Sequence, residues 1–103
     1  MTTTYEQGMP NYAEDVNMLY SELSTSYLPI IDLGLRAVNT QFIFVNETDV
    51  DITMKFSTSG NSTTFLIHAG KKLEMSKYRH HGLVECKLNS SASSGLIKFI
   101  TWK

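Results

Sequence analysis

The clearest pattern in the chain lies at residues 50–56. Val50, Ile52, Met54 and Phe56 are apolar and alternate with Asp51, Thr53 and Lys55. A period of two puts one set on each face of a strand, so this segment predicts a half-buried β-strand with one wet face. The same alternation returns at residues 83–88, where Val84, Cys86 and Leu88 interleave with Glu85 and Lys87. Residues 41–45 are apolar on both faces, as a buried strand would be. Residues 28–33 are an apolar run with Pro29 near its start, which suits a first or edge strand. Residues 64–68 and a short stretch at 73–75 add two further strands, with Gly60-Asn61 as the tip of a hairpin. The last segment, 96–102, carries large apolar groups on both faces: Ile97 and Phe99 on one, Leu96, Ile100 and Trp102 on the other. It is therefore central, or its second face is covered by something else. Polar stretches at 57–63, 76–82 and 89–95 separate the strands. About six or seven short strands with regular turns predict an all-β fold, an antiparallel sandwich or small barrel.

The first residues break the pattern. Gly8 and Pro10 interrupt 1–11, which shows no periodicity. Over 13–23, Val16, Leu19, Tyr20 and Leu23 fall at helical spacing, and Asn11 with Glu14 offers a capping pair. This predicts a short helix ahead of the sheet. Charge divides the chain at the same place. Residues 1–26 hold Glu6, Glu14, Asp15 and Glu22 and no base, a net −4, while 27–103 hold nine bases and six acids, a net +3. The expected organisation is thus an acidic N-terminal arm, 1–26, and a sandwich domain, 27–103. The arm region is rich in tyrosine: Tyr5, Tyr12 and Tyr20, with Tyr27 beside it. Tyrosine suits interfaces because its ring buries area while its hydroxyl finds a partner. Tyr5, Tyr12, Val16, Leu19, Tyr20 and Leu23 are the residues expected to bind a partner.

The 103 residues support one domain with one core, and the overall charge of −1 argues against a general nucleic-acid binder. Lys71, Lys72, Lys77 and Arg79 form a candidate basic contact patch, suited to an acidic protein surface. His68, His80 and His81 have no metal-ligand spacing, and adjacent residues on a strand point to opposite faces. The run Glu47, Asp49, Asp51 lacks the glycine and terminal glutamate of a calcium loop. Neither predicts a metal. Cys86 is the one cysteine and sits on an apolar face, the pattern of a packing residue rather than a nucleophile. No catalytic residue and no cofactor are expected. The N-terminus has neither a basic stretch nor an apolar run of signal length, which predicts a chain made in a reducing cytoplasm, and no segment has membrane-spanning length. The sequons at Asn46, Asn61 and Asn89 are then chance occurrences.

From Phe42 onward the sequence resembles small β-sandwich structural proteins of tailed-bacteriophage virions, of head-decoration, collar or tail-adaptor type. The resemblance is carried by the strand at 50–57, the turn Ala69-Gly70-Lys71-Lys72 and Ser94-Gly95 before the terminal apolar strand. It implies a non-enzymatic virion subunit, assembled in the host cytoplasm. Its partners would be capsid, portal or tail proteins, and it would form a homo-oligomer. The alternative from the residues is a carbohydrate- or ligand-binding sandwich using Trp102 and the polar stretches 57–63 and 76–82.

Overall fold

A computed structural model describes residues 13–32, 39–58, 60–80 and 82–102, with the backbone alone at 13–14, 39–40 and 76–80. Eight strands follow one another: β1 (Ala13–Leu19), β2 (Leu28–Asp32), β3 (Asn39–Asn46), β4 (Ile52–Thr58), β5 (Asn61–Ile67), β6 (Lys72–His80), β7 (Leu83–Leu88) and β8 (Leu96–Trp102). They form two four-stranded antiparallel sheets. Sheet A has the order β1-β8-β3-β6 and sheet B the order β2-β7-β4-β5. Apart from the β4–β5 hairpin, each connection crosses from one sheet to the other. This is a jelly-roll sandwich.

The inward faces are those that the alternation marks. Sheet A contributes Phe42, Phe44, Ile97 and Phe99, and sheet B contributes Ile52, Met54, Phe56, Ile67, Val84, Cys86 and Leu88, all buried. Each such side chain removed from water stabilises the fold by about 1.5–3 kcal/mol before conformational entropy is counted. Phe42 of sheet A meets Phe56 of sheet B edge to face, with ring centroids 5.3 Å apart. Phe56 in turn meets Phe65 edge to face at 5.8 Å.

Three expectations are corrected. The segment expected as a helix over 13–23 is strand β1 followed by a single 3-10 turn, Tyr20–Glu22. Strand pairing overrides helical spacing here. Met18 and Val16 stand opposite Ile97 and Phe99 across the β1–β8 ladder, and so join the inner face. Glu22 then closes the strand end, accepting the Leu19 amide through Oε1 at 2.8 Å. Second, the polar stretch 76–82 is largely strand. β6 runs on to His80, with a register shift against β3 between Asn39 and Gln41. Third, the hairpin expected over 57–63 has a shorter connection than that polar stretch suggested, and Asn61 belongs to β5 rather than to the tip. Thr58 pairs with Asn61, which leaves a two-residue connection containing Gly60.

With β1 in place, β8 is flanked on both sides, by β1 and β3. Its inner residues Ile97 and Phe99 are buried in the core between the sheets. Its outer face stays apolar and is covered by no element of the sandwich among the described residues.

Candidate assembly interface

The outward face of sheet A can be read off the register. Alternate residues of β8 (Leu96, Lys98, Ile100, Trp102) point away from the core. Across the ladders, Leu96 stands opposite Leu19 of β1, and Ile100 opposite Ile43 of β3. Lys98 stands opposite Val45, and Trp102 opposite Gln41. Leu96, Ile100, Trp102, Ile43 and Val45 are half-buried by their neighbours alone, and Leu19 is 54% exposed. The result is an apolar ridge along β8 and β3, crossed by Lys98 and bordered by Asp15 on β1 and Glu74 on β6. A wet sheet face normally alternates to polar residues. Contiguous apolar surface rimmed by charge is characteristic of an interaction surface.

The outward face of sheet B is different. Lys55 of β4 and Glu85 of β7 are cross-strand neighbours joined at 3.5 Å. The Lys55 ammonium lies 4.2 Å from the centroid of the Tyr27 ring, and that of Lys87 lies 5.1 Å from it. Tyr27 is thus engaged by two cations of its own chain. Its place in the sequence groups Tyr27 with the arm tyrosines. The signal that separates it is the parity of Lys55 and Lys87 on the polar sides of two strands. Leu66 of β5, 55% exposed, is a large apolar residue that stands out on this side.

The residues expected to bind a partner separate. Val16 packs against the core and Leu23 belongs to it. Tyr20 is half-buried, and its amide donates to the Gly95 carbonyl at 2.9 Å. It lines an open groove with Leu23, Ser24, Leu88 and Ala92. Leu19 alone of these four projects into solvent, on the apolar ridge. Tyr5 and Tyr12 lie outside the described residues. In the basic group, Lys71 is exposed in the turn before β6. Lys72 pairs with Glu74 at 2.8 Å, an exposed contact that contributes little. Lys77 and Arg79 fall on the backbone of β6 near its register shift, and their side chains are outside the described set.

The acidic turn after β3 is held by internal bonds. The Ser93 hydroxyl donates to Asp49 Oδ2 at 2.6 Å and the Ser93 amide to Oδ1 at 3.0 Å. The hydroxyl first, and then the amide, hold the Asp49 carboxyl below the usual carboxylate range. Asp51 accepts the Ala69 amide at 3.0 Å and contacts His68 Nδ1 at 3.1 Å, and both lower its pKa, the amide more. Among the described residues no group of three or more His, Cys, Asp or Glu could hold a metal ion. No helix among them is long and apolar enough to cross a membrane. Trp102 sits on the outer face of sheet A, at the end of β8. The stretches that the carbohydrate reading joined to Trp102 fall in the β4–β5 hairpin and largely in β6.

The chain matches no protein-family model, and no curated protein is similar to it in sequence at a significant level. A solved structure is similar in fold. It comes from work titled "Bacillus endospore appendages form a novel family of disulfide-linked pili". The superposition has a TM-score of 0.67 at 11% identity and covers 90% of this chain and 85% of that one. At that identity the likeness establishes the shared β-sandwich.

Proposed function

We propose that this chain is a non-enzymatic structural subunit of a multi-copy protein assembly. Its setting would be a tailed-phage virion, with capsid, portal or tail proteins and further copies of itself as neighbours. The observation that carries the proposal is the apolar outward ridge of Leu96, Ile100, Trp102, Ile43 and Val45 on sheet A. A rigid jelly roll needs no such surface to fold, because its core is already complete between the sheets. A surface of this kind stabilises contact with another protein. The sequence resemblance to small virion sandwiches supports the virion setting.

A second setting has its own support. The structural neighbour comes from pili, which are also built from repeated subunits, so a filament subunit is the competing reading. One feature separates this chain from a disulfide-linked arrangement. Cys86 is buried in the core, where it cannot reach a cysteine of another copy.

The test is the copy number of the chain in gradient-purified virus particles from its source, by quantitative mass spectrometry. The virion reading expects a fixed stoichiometry, with many copies for a shell protein or a ring-sized number for a connector. Recovery in a filament fraction would move the subunit to the second setting. Absence from both would overturn the structural reading.

A further inference from the structure

We infer that the apolar ridge on sheet A is the docking site for the N-terminal segment, residues 1–12, of a neighbouring copy of this chain. The inference rests on the structural-subunit reading. Three observations carry it.

The first is position and reach. β1 is the edge strand of sheet A, and its first residue, Ala13, pairs with Trp102 at one end of the ridge. Twelve residues span about 40 Å when extended. Four strands cover only about 15 Å from edge to edge. The segment is therefore long enough to leave one subunit and cross the equivalent face of the next.

The second is exposure. Among the described residues no element of the sandwich covers the outer face of β8 and β3, so the ridge is open to a segment from another copy.

The third is chemical complementarity. Residues 1–12 contain Met1, Tyr5, Met9 and Tyr12, and Glu6 is their one charged side chain. The ridge offers Ile43, Ile100 and Trp102 as apolar contacts, with exposed Lys98 in their midst. Among the described residues no acid pairs with Lys98. A segment with apolar side chains around one carboxylate fits a ridge with apolar side chains around one ammonium.

The experiment uses the full chain with p-benzoylphenylalanine in place of Tyr5, mixed as light and nitrogen-15-labelled copies and irradiated. Its oligomeric state is followed by sedimentation velocity. The expected result is assembly, with crosslinks from position 5 to residues 41–45 or 96–102 that join light and heavy copies. A charge exchange accompanies it. Lys98→Glu and Glu6→Lys should each weaken assembly by about fivefold, and the double variant should restore it. Assembly with crosslinks only within one copy, or only to other surfaces, overturns the docking site while leaving the subunit reading in place. A chain that stays monomeric at every concentration overturns both.

Discussion

The Asn46 side-chain amide donates to the Ile67 carbonyl at 3.1 Å, joining the end of β3 in one sheet to the end of β5 in the other. Asn46 is fully buried and every polar atom of its side chain is used. Nδ2 also donates to the Val50 carbonyl at 2.9 Å. Oδ1 accepts the Thr48 amide at 3.0 Å and the Thr48 hydroxyl at 2.7 Å. An asparagine that reads as a strand terminus is thus the polar pin between the layers. Its burial also removes it as a glycan acceptor.

Replacing Asn46 with leucine removes the side-chain partners of the Ile67 carbonyl and the Thr48 amide, while the Thr48 hydroxyl keeps its contact with the Val50 carbonyl at 3.0 Å. The expected loss is about 2–4 kcal/mol, the cost of buried polar groups left unsatisfied. Urea unfolding followed by tryptophan fluorescence checks this. A loss below about 0.5 kcal/mol, that of an ordinary surface substitution, would mean that water replaces the network freely.

Two glycines should respond very differently to alanine. Both have positive φ, +99° at Gly95 and +79° at Gly60. A Cβ at Gly95 would collide with the Glu47 carbonyl oxygen and lie 2.6 Å from the Thr48 Cα, whereas at Gly60 it would meet nothing within 4 Å. Gly60→Ala should cost about 1 kcal/mol for the backbone conformation alone. Gly95→Ala should cost about 3–5 kcal/mol, because the collision adds to it. Thermal unfolding of the two variants gives the comparison, and equal losses would refute the close approach.

Acid should weaken the fold through the turn carboxylates. Asp49 and Asp51 both have folded-state pKa values below the ordinary 3.8. A depressed carboxylate contributes stability that is present above its unfolded value and is lost as pH falls through the folded value. The melting temperature should therefore fall as the pH drops below about 4. Asp49→Asn and Asp51→Asn should flatten that dependence. A profile that keeps its full slope in the double variant would place the acid sensitivity elsewhere.

Burial pushes the Cys86 thiol up to about 12. The thiolate needed for reaction is thus scarce at neutral pH. Ellman's reagent should leave the folded chain untouched and titrate one thiol per chain after unfolding in guanidinium. Assemblies should run as single chains on a non-reducing gel. A disulfide-linked ladder would show that Cys86 becomes accessible between copies.

Much of this fold is legible in the residues. Period-two alternation at Ile52, Met54 and Phe56 and at Val84, Cys86 and Leu88 is enough to mark two strands and their inner faces. The terminal strand with two apolar faces points to a central position or to a covered second face, and β8 is central. What is illegible has a common cause. Val16 and Leu23 fall at helical spacing, but β8 offers a free strand edge and the core offers an apolar pocket, so long-range pairing decides the local structure. β6 continues through a polar stretch because β3 supplies its hydrogen bonds, whatever its side chains prefer. The ridge on sheet A is half visible. The apolar residues of β8 are evident, but their alignment with Ile43 and Val45 depends on register, which no single strand encodes.

The ridge on sheet A is the surface proposed to hold copies together. Sedimentation velocity on the full chain and on an Ile43→Thr, Ile100→Thr variant tests it most directly. Both substitutions are β-branched and face outward, so the sandwich should unfold at nearly the same temperature. The native chain should sediment as a multi-copy species and the variant as a monomer. A variant that assembles as well as the native chain would contradict it.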